Sequence, residues 1–254
     1  MRTNLDAAEL EKGDTLGGLA RGLAVIEAFN PQRPKASIAD IARATGLTRA
    51  AARRCLLTLQ GLGYAEFDGK FFTLTPRVLR LGGAYLSSTP LPDILQPELE
   101  AVREAVHESC SAAILDGPDV IYVARSAARR IMSVSLGVGS RLPAHCTSLG
   151  RALLSALPGS RLEAFLAQLQ PAPLAEHTRG AVQAARTAGY ALVNEELEPG
   201  LRSVAMPVRD MRGRCVAAIN IGAHAGRATD AVVEGLFLPA LRRAVARLGE
   251  RIPG

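Results

Sequence analysis

Arg49, Arg53 and Arg54 follow Thr48 in a segment whose apolar residues recur at helical spacing. At about 100° per residue, Ala52, Cys55, Leu56 and Leu59 gather on one side, and the three arginines fan over about 140° of the other. A guanidinium is a planar, always-charged fork that matches guanine edges in a major groove and also reaches phosphates. Ala50 and Ala51 keep such a helix slim enough for close approach, and Leu57 is expected to pack beneath a neighbouring hairpin. The alternative for these arginines is a solvated charged face.

Two further groupings could do chemistry of another kind. His107-x-x-Cys110 would share one turn if helical, and His145-Cys146 are adjacent, which could suit a metal or a Cys/His nucleophile. No other cluster has ligand spacing, so neither catalysis, a metal nor a cofactor is expected. Cys55, Cys110, Cys146 and Cys215 show no CxxC pairing, which fits a reducing cytosol. No apolar stretch approaches the roughly 20 residues of a membrane span, and the first residues lack an apolar signal core. A cytoplasmic protein is therefore expected. Aromatics make up only 4% of the chain, too few for the stacking platforms of a single-strand nucleic-acid binder.

The elements that must position the arginines are legible around them. Leu16, Leu19, Leu23 and Ile26 describe one face of a first helix. Ser37 caps a second, with Ile38, Ile41 and Ala42 facing inward. Thr45-Gly46-Leu47 turns, and Thr48 caps the third, which runs to about Leu62. Ala65–Phe67 and Phe71–Leu74 then pair as a hairpin through Asp68-Gly69-Lys70. Helix, helix, turn, helix, hairpin is the order of a winged helix-turn-helix. Between Leu16 and Arg80 lie ten basic and four acidic residues, so this quarter of the chain holds the whole formal +6 of the protein. That is an electrostatic footprint for a polyanion. The expected contacts to double-stranded DNA are Ser37, Thr48, Arg49, Ala50, Arg53, Arg54 and Lys70, with Arg43 and Lys35 on phosphates. An architectural DNA binder without a ligand is the other reading, but it would not need the charge-balanced remainder.

A chain of 254 residues is comfortable for two domains. Residues 1–15 read as a disordered tail, 16–75 as the winged helix-turn-helix, 76–92 as a linker helix, and 93–254 as a second domain. In the second domain helices (Leu95–Ser109, Ser148–Leu157, Leu162–Leu169, Ala231–Arg247) interleave with strands. The strands are Ser111–Leu115, Val120–Ala124, Ile131–Leu136, Tyr190–Asn194, Ser203–Arg209 and Cys215–Gly222. The fold class is thus α+β, with a curved antiparallel sheet in the larger domain. One helix-turn-helix reads only a few base pairs, so a homodimer binding two half-sites is expected, with Arg77–Ser88 as a contact.

The runs Arg21-Gly-Leu-Ala-Val-Ile-Glu-Ala-Phe29, Ala39-Asp-Ile-Ala-Arg-Ala-Thr-Gly-Leu47, Thr48-Arg-Ala-Ala-Ala-Arg-Arg54 and Leu74-Thr-Pro-Arg-Val-Leu-Arg-Leu-Gly82 resemble IclR-family transcription regulators. They resemble most the PcaR/PobR-type branch, which controls aromatic-acid catabolism through the β-ketoadipate pathway. Tyr122-Val-Ala-Arg-Ser126, Arg130-Ile-Met-Ser133, Leu142-Pro-Ala-His-Cys-Thr-Ser-Leu-Gly-Arg151 and Gly200-Leu-Arg-Ser-Val-Ala-Met-Pro-Val208 extend the likeness along nearly the whole chain from Leu16. It implies a GAF-like second domain whose effector lies in a cup between sheet and loop, and dimers that pair into tetramers. Carried over, the cup is built from the loop 143–151 and strand positions 201–203 and 220–222.

For a small carboxylate such as protocatechuate or 4-hydroxybenzoate, a helix start at Ser148, Leu149 and Gly150 offers free N–H groups. Arg202 or Arg151 could add a bidentate partner. Met132, Leu142, Leu201 and Ile219 would be apolar walls. Ser203, Asn220 and His145 would meet a ring hydroxyl, with Gly222 beside them. The helix before Gly189-Tyr190-Ala191 is expected to be short, only Arg179–Ala188.

Overall fold

The computed structural model describes residues 16–128 and 136–254, which divide at Ser88/Thr89 into two compact units. The expected tail, the Arg130–Ser133 motif and most of the strand expected at Ile131–Leu136, Met132 included, lie outside the described residues.

In the first unit, α1 (Gly17–Glu27), α2 (Ile38–Thr45) and α3 (Arg49–Gly61) pack on Val25, Ile41, Ala52 and Leu56. Ser37 starts α2 with a reciprocal capping box. Its hydroxyl accepts from the Asp40 N–H, and the Asp40 carboxylate accepts from the Ser37 N–H at 3.0 Å. The capping bonds from Ser37 hold the Asp40 carboxyl below the usual carboxylate range, against a smaller opposing effect of burial. Gly46, at φ +69°, ends the helix in the left-handed region. The wing is β1 (Ala65–Phe67) against β2 (Phe72–Leu74), and Asp68 Oδ1 accepts from the Lys70 and Phe71 N–H groups to shape its tip. Phe72 is buried and exchanges backbone bonds with Ala36, tying the wing to the entry of α2. After a 3₁₀ turn at Pro76–Val78, α4 (Leu79–Ser88) has no buried residue.

The second unit begins with α5 (Leu91–Val106) and is built on an antiparallel sheet. Its strands are β3 (Ser109–Asp116), β4 (Asp119–Ser126), β5 (Arg141–Pro143), β6 (Ala191–Asn194), β7 (Leu201–Arg209) and β8 (Cys215–His224), in the spatial order β5-β4-β3-β8-β7-β6. One face carries Cys110, Ala112, Ile219 and Ile221 against α5 and the C-terminal helices. Those helices are a short α9 (Asp230–Val232), a π-helical turn and α10 (Leu238–Arg251). Buried Glu98 of α5 accepts from Arg247 and Arg251 of α10 and fastens the two helices across that core. The other face receives α6 (Ser148–Ser155), α7 (Gly159–Leu166) and α8 (Ala172–Ala188).

Helix α8 corrects the expectation of a shortened segment. It has 17 residues, because Pro173 at its start suits a helix N-terminus rather than interrupting a loop. The expected helix turn shared by His107 and Cys110 is also absent. His107 ends α5 at φ +56°, and Cys110 is already a buried residue of β3 whose thiol is pushed up to about 12 by burial. Such a thiol is no nucleophile.

At the junction of α6 with the preceding 3₁₀ turn Ala144–Cys146, a Cβ on Gly150 would lie 2.1 Å from the Ala144 carbonyl oxygen. Backbone meets backbone there, so neither side can yield cheaply. Gly150→Ala is expected to cost about 3 kcal/mol or more, as overpacking against fixed atoms does. An unchanged urea midpoint would contradict the close approach.

Candidate functional site

Two surfaces hold the residues singled out in the sequence. On α3, Ala51, Ala52, Leu56 and Leu59 are buried and Arg49, Ala50, Arg53 and Arg54 are exposed. Among the described residues, the three arginine side chains take part in no ion pair or hydrogen bond, so their forks are uncommitted. Ala51 faces the core rather than the open side, and Leu57 is exposed at 39% rather than packed beneath the wing. Ser37 and Thr48 start their helices as the sequence predicts. Each hydroxyl caps its own helix, with Thr48 accepting from the Ala51 N–H at 3.2 Å. Lys70 stands exposed at the wing tip, its ammonium 5.1 Å from the Phe71 ring centre.

The second surface is a cup of about 320 Å³ between the sheet and the start of α6. Strand alternation creates it. Ser109 and Ser111 of β3 and Asn220 and Gly222 of β8 point to the α6 side, while the bulkier Ile219 and Ile221 point away. Ile219 is therefore not a cup wall. Of the residues expected in the cup, Leu142, Ser148, Leu149, Leu201, Ser203, Asn220 and Gly222 line it.

Besides Ile219 and Arg151, three expected residues do not. Gly150 is spent on the contact with Ala144. His145 is half-buried but not part of the cup lining, and burial followed by the Arg151 charge depresses its pKa, which favours the neutral ring. Arg202 lies one residue out of phase with Leu201 and Ser203, so it shares the opposite face with Val204. There it donates to the Ala228 carbonyl at 2.7 Å and pairs with Asp230.

The cationic side chain the sequence reading missed is Arg125. By simple alternation it would oppose Tyr122 across the strand, but β4 bulges against Ala112/Ala113 of β3. The extra residue brings Arg125 and Tyr122 to the same face, a common use of bulges beside sites. Arg125 is paired in register with Ser111, which is paired with Asn220, so three polar groups cross three strands in one row. Arg125 donates to Ser111 Oγ at 2.9 Å. Burial raises the Tyr122 pKa against the opposing Arg125 charge and keeps the phenol neutral. Burial likewise keeps Cys146 a thiol.

Three atoms of cup residues are buried without a partner among the described residues: Arg125 Nε, Ser148 Oγ and Asn220 Oδ1. A buried polar group left unsatisfied costs about 1–3 kcal/mol, so three on residues that line one cavity mark it as a place where polar partners are missing. The fourth such atom among the described residues, Arg202 Nε, lies across the sheet. No group of three or more His, Cys, Asp and Glu is placed to hold a metal among the described residues, and no helix there is long and apolar enough to cross a membrane.

Residues 18–69 match the IclR helix-turn-helix domain, and residues 83–249 match the bacterial transcriptional regulator IclR C-terminal domain. The chain belongs to the IclR family. It is a DNA-binding transcription regulator, of a family of regulators rather than enzymes. The IclR chain is 44% identical over 249 residues to the Pca regulon regulatory protein of Pseudomonas putida, covering 95% of this chain and 86% of that one. It is 37% identical to the p-hydroxybenzoate hydroxylase transcriptional activator of Acinetobacter baylyi, covering 94% and 93%. These relatives place it with the PcaR/PobR-type regulators. Its fold is similar, at a TM-score of 0.73 and 26% identity, to an IclR homologue of Microbacterium hydrocarbonoxydans crystallised with 4-hydroxybenzoate. That likeness covers 92% of this chain and 98% of the other.

Proposed function

We propose that operator binding by the first unit answers to a hydroxylated aromatic carboxylate, of the protocatechuate or 4-hydroxybenzoate kind, held in the cup of the second. The observation that carries this is chemical. Arg125 Nε is an unpaired donor and Asn220 Oδ1 an unpaired acceptor, so the missing partner must both accept and donate. A carboxylate accepts and a ring hydroxyl donates. The carboxylate would lie toward Arg125, Ser148 Oγ and the first N–H groups of α6, which by the geometry of any helix start have no intrahelical partner. The ring would lie among Leu142, Leu149, Leu201 and Tyr122, with Ser203 beside it. The names of the relatives, one an activator for p-hydroxybenzoate hydroxylase and one bound to 4-hydroxybenzoate, support the same ligand class.

On the DNA side, α3 would enter the major groove, with Arg49, Ala50, Arg53 and Arg54 facing bases and phosphates, Lys70 on a phosphate, and Ser37 and Thr48 holding the helices in place. The protein would work in the cytoplasm as a homodimer, with dimers pairing into tetramers. Leu79, Leu81, Tyr85 and Leu86 of α4 are exposed and suit contact with a second copy.

Arg49→Ala or Arg53→Ala should cost about 1–3 kcal/mol in operator affinity if the side chain reads a base, and should relax specificity at that base. Lys70→Ala should weaken all sequences alike and flatten the salt dependence by about one ion. Fluorescence anisotropy with operator and scrambled duplexes separates these outcomes, and unchanged affinity in all three variants would move the recognition face elsewhere.

A thermal-shift series with protocatechuate, 4-hydroxybenzoate, benzoate, β-ketoadipate, pyruvate and glyoxylate tests the cup, because a ligand of the native state raises the melting temperature by mass action. The hydroxylated aromatic acids should shift it and benzoate should do so less. A response to β-ketoadipate alone would replace the aromatic ligand with an aliphatic one, and silence throughout would overturn the effector reading.

A further inference from the structure

Arg151 lines neither the cup nor the protein surface. It is 4% exposed on α6, one turn beyond Ser148, and a charge that deep is expensive unless fully paired. Its pairing is complete and joins separate segments. Nε donates to the His145 carbonyl at 2.9 Å, fixing the 3₁₀ turn that leads into α6. The two terminal nitrogens donate to both oxygens of Glu196, each at 2.6 Å. His177 of α8 adds its Nε2 at 3.2 Å from Glu196 and 3.3 Å from Arg151. Burial alone would raise the Glu196 pKa, but the bonds and charge of Arg151, with help from His177, outweigh it and keep the carboxylate ionised.

Glu196 is itself outside the cup, yet the next four residues, Leu197 to Gly200, form one wall of it. One guanidinium therefore holds the turn before α6 to the residue that leads into the wall at Leu197–Gly200. A planar fork gripping both oxygens of a carboxylate fixes orientation as well as distance, which a lysine could not do.

We propose that Arg151 and Glu196 form a clasp that positions the cup wall at Leu197 to Gly200 and thereby sets the affinity for the effector, without either residue touching it. This rests on the effector reading above, but the mechanical half can be measured without a ligand. Glu196→Gln keeps the shape of the side chain and removes its charge. Amide hydrogen exchange of the ligand-free full-length protein should then quicken at Leu197–Gly200 and leave Arg49–Gly61 unchanged. Calorimetric titration with 4-hydroxybenzoate should show affinity weakened about tenfold, the order lost when a group supporting a binding shell is removed.

Glu196→Asp, which keeps the charge one methylene shorter, should recover part of that affinity and serves if the first variant does not fold. Faster exchange with unchanged affinity would make the clasp merely structural and overturn the proposal, as would unchanged exchange. If wild-type protein binds no 4-hydroxybenzoate, the effector reading fails separately. Exchange at Leu197–Gly200 alone then decides whether the clasp holds the wall.

Discussion

The second unit depends on the two-residue period of its central strands. On β3 and β8, one face carries apolar residues that seal against α5 and α10, and the other carries serines, an asparagine and a glycine. Small side chains on that second face leave a void, and their polar atoms give the void a chemistry. A shift of one residue in either strand would exchange the two faces, placing Ile219 and Ile221 in the cup and Asn220 in the core. The bulge in β4 interrupts the period, and it is what turns Arg125 toward the cavity.

The first unit depends on its helix ends. The Ser37–Asp40 box and the Thr48 cap settle where α2 and α3 begin, and Gly46 supplies the left-handed turn between them. With those ends fixed, the burial of Ala52, Leu56 and Leu59 leaves Arg49, Arg53 and Arg54 pointing outward, with no ion pair to any described residue. Uncommitted cations on one helix face, beside a cationic wing tip, are the arrangement a phosphate backbone attracts.

Much of this was legible in the residues. The winged helix-turn-helix could be read almost element by element, because caps, a left-handed glycine and an Asp-Gly hairpin are local signals. The alternation of helix and strand carries the α+β class, and Ser148, Leu149, Ser203 and Asn220, which line the cup, lie at the loop and strand positions that the resemblance implies. What escaped has a common cause in non-local geometry. Arg202 was chosen for its charge, although its odd spacing from Ser203 already placed it on the other face. Arg125 was overlooked because a bulge cannot be inferred from one strand alone. His145 and Gly150 lie in the right loop but do not line the cup, and α8 starts at Ala172, with Pro173 in its first turn, well before the expected start at Arg179.

On the proposed reading, Arg125 Nε, Ser148 Oγ and Asn220 Oδ1 lack partners among the described residues because an effector pairs them. The most direct test is a crystal structure of the protein with 4-hydroxybenzoate. The carboxylate should lie within hydrogen-bond distance of Arg125 and Ser148, and the ring hydroxyl should donate to Asn220. A ligand bound elsewhere, or one in the cup that leaves all three atoms unpaired, would contradict it.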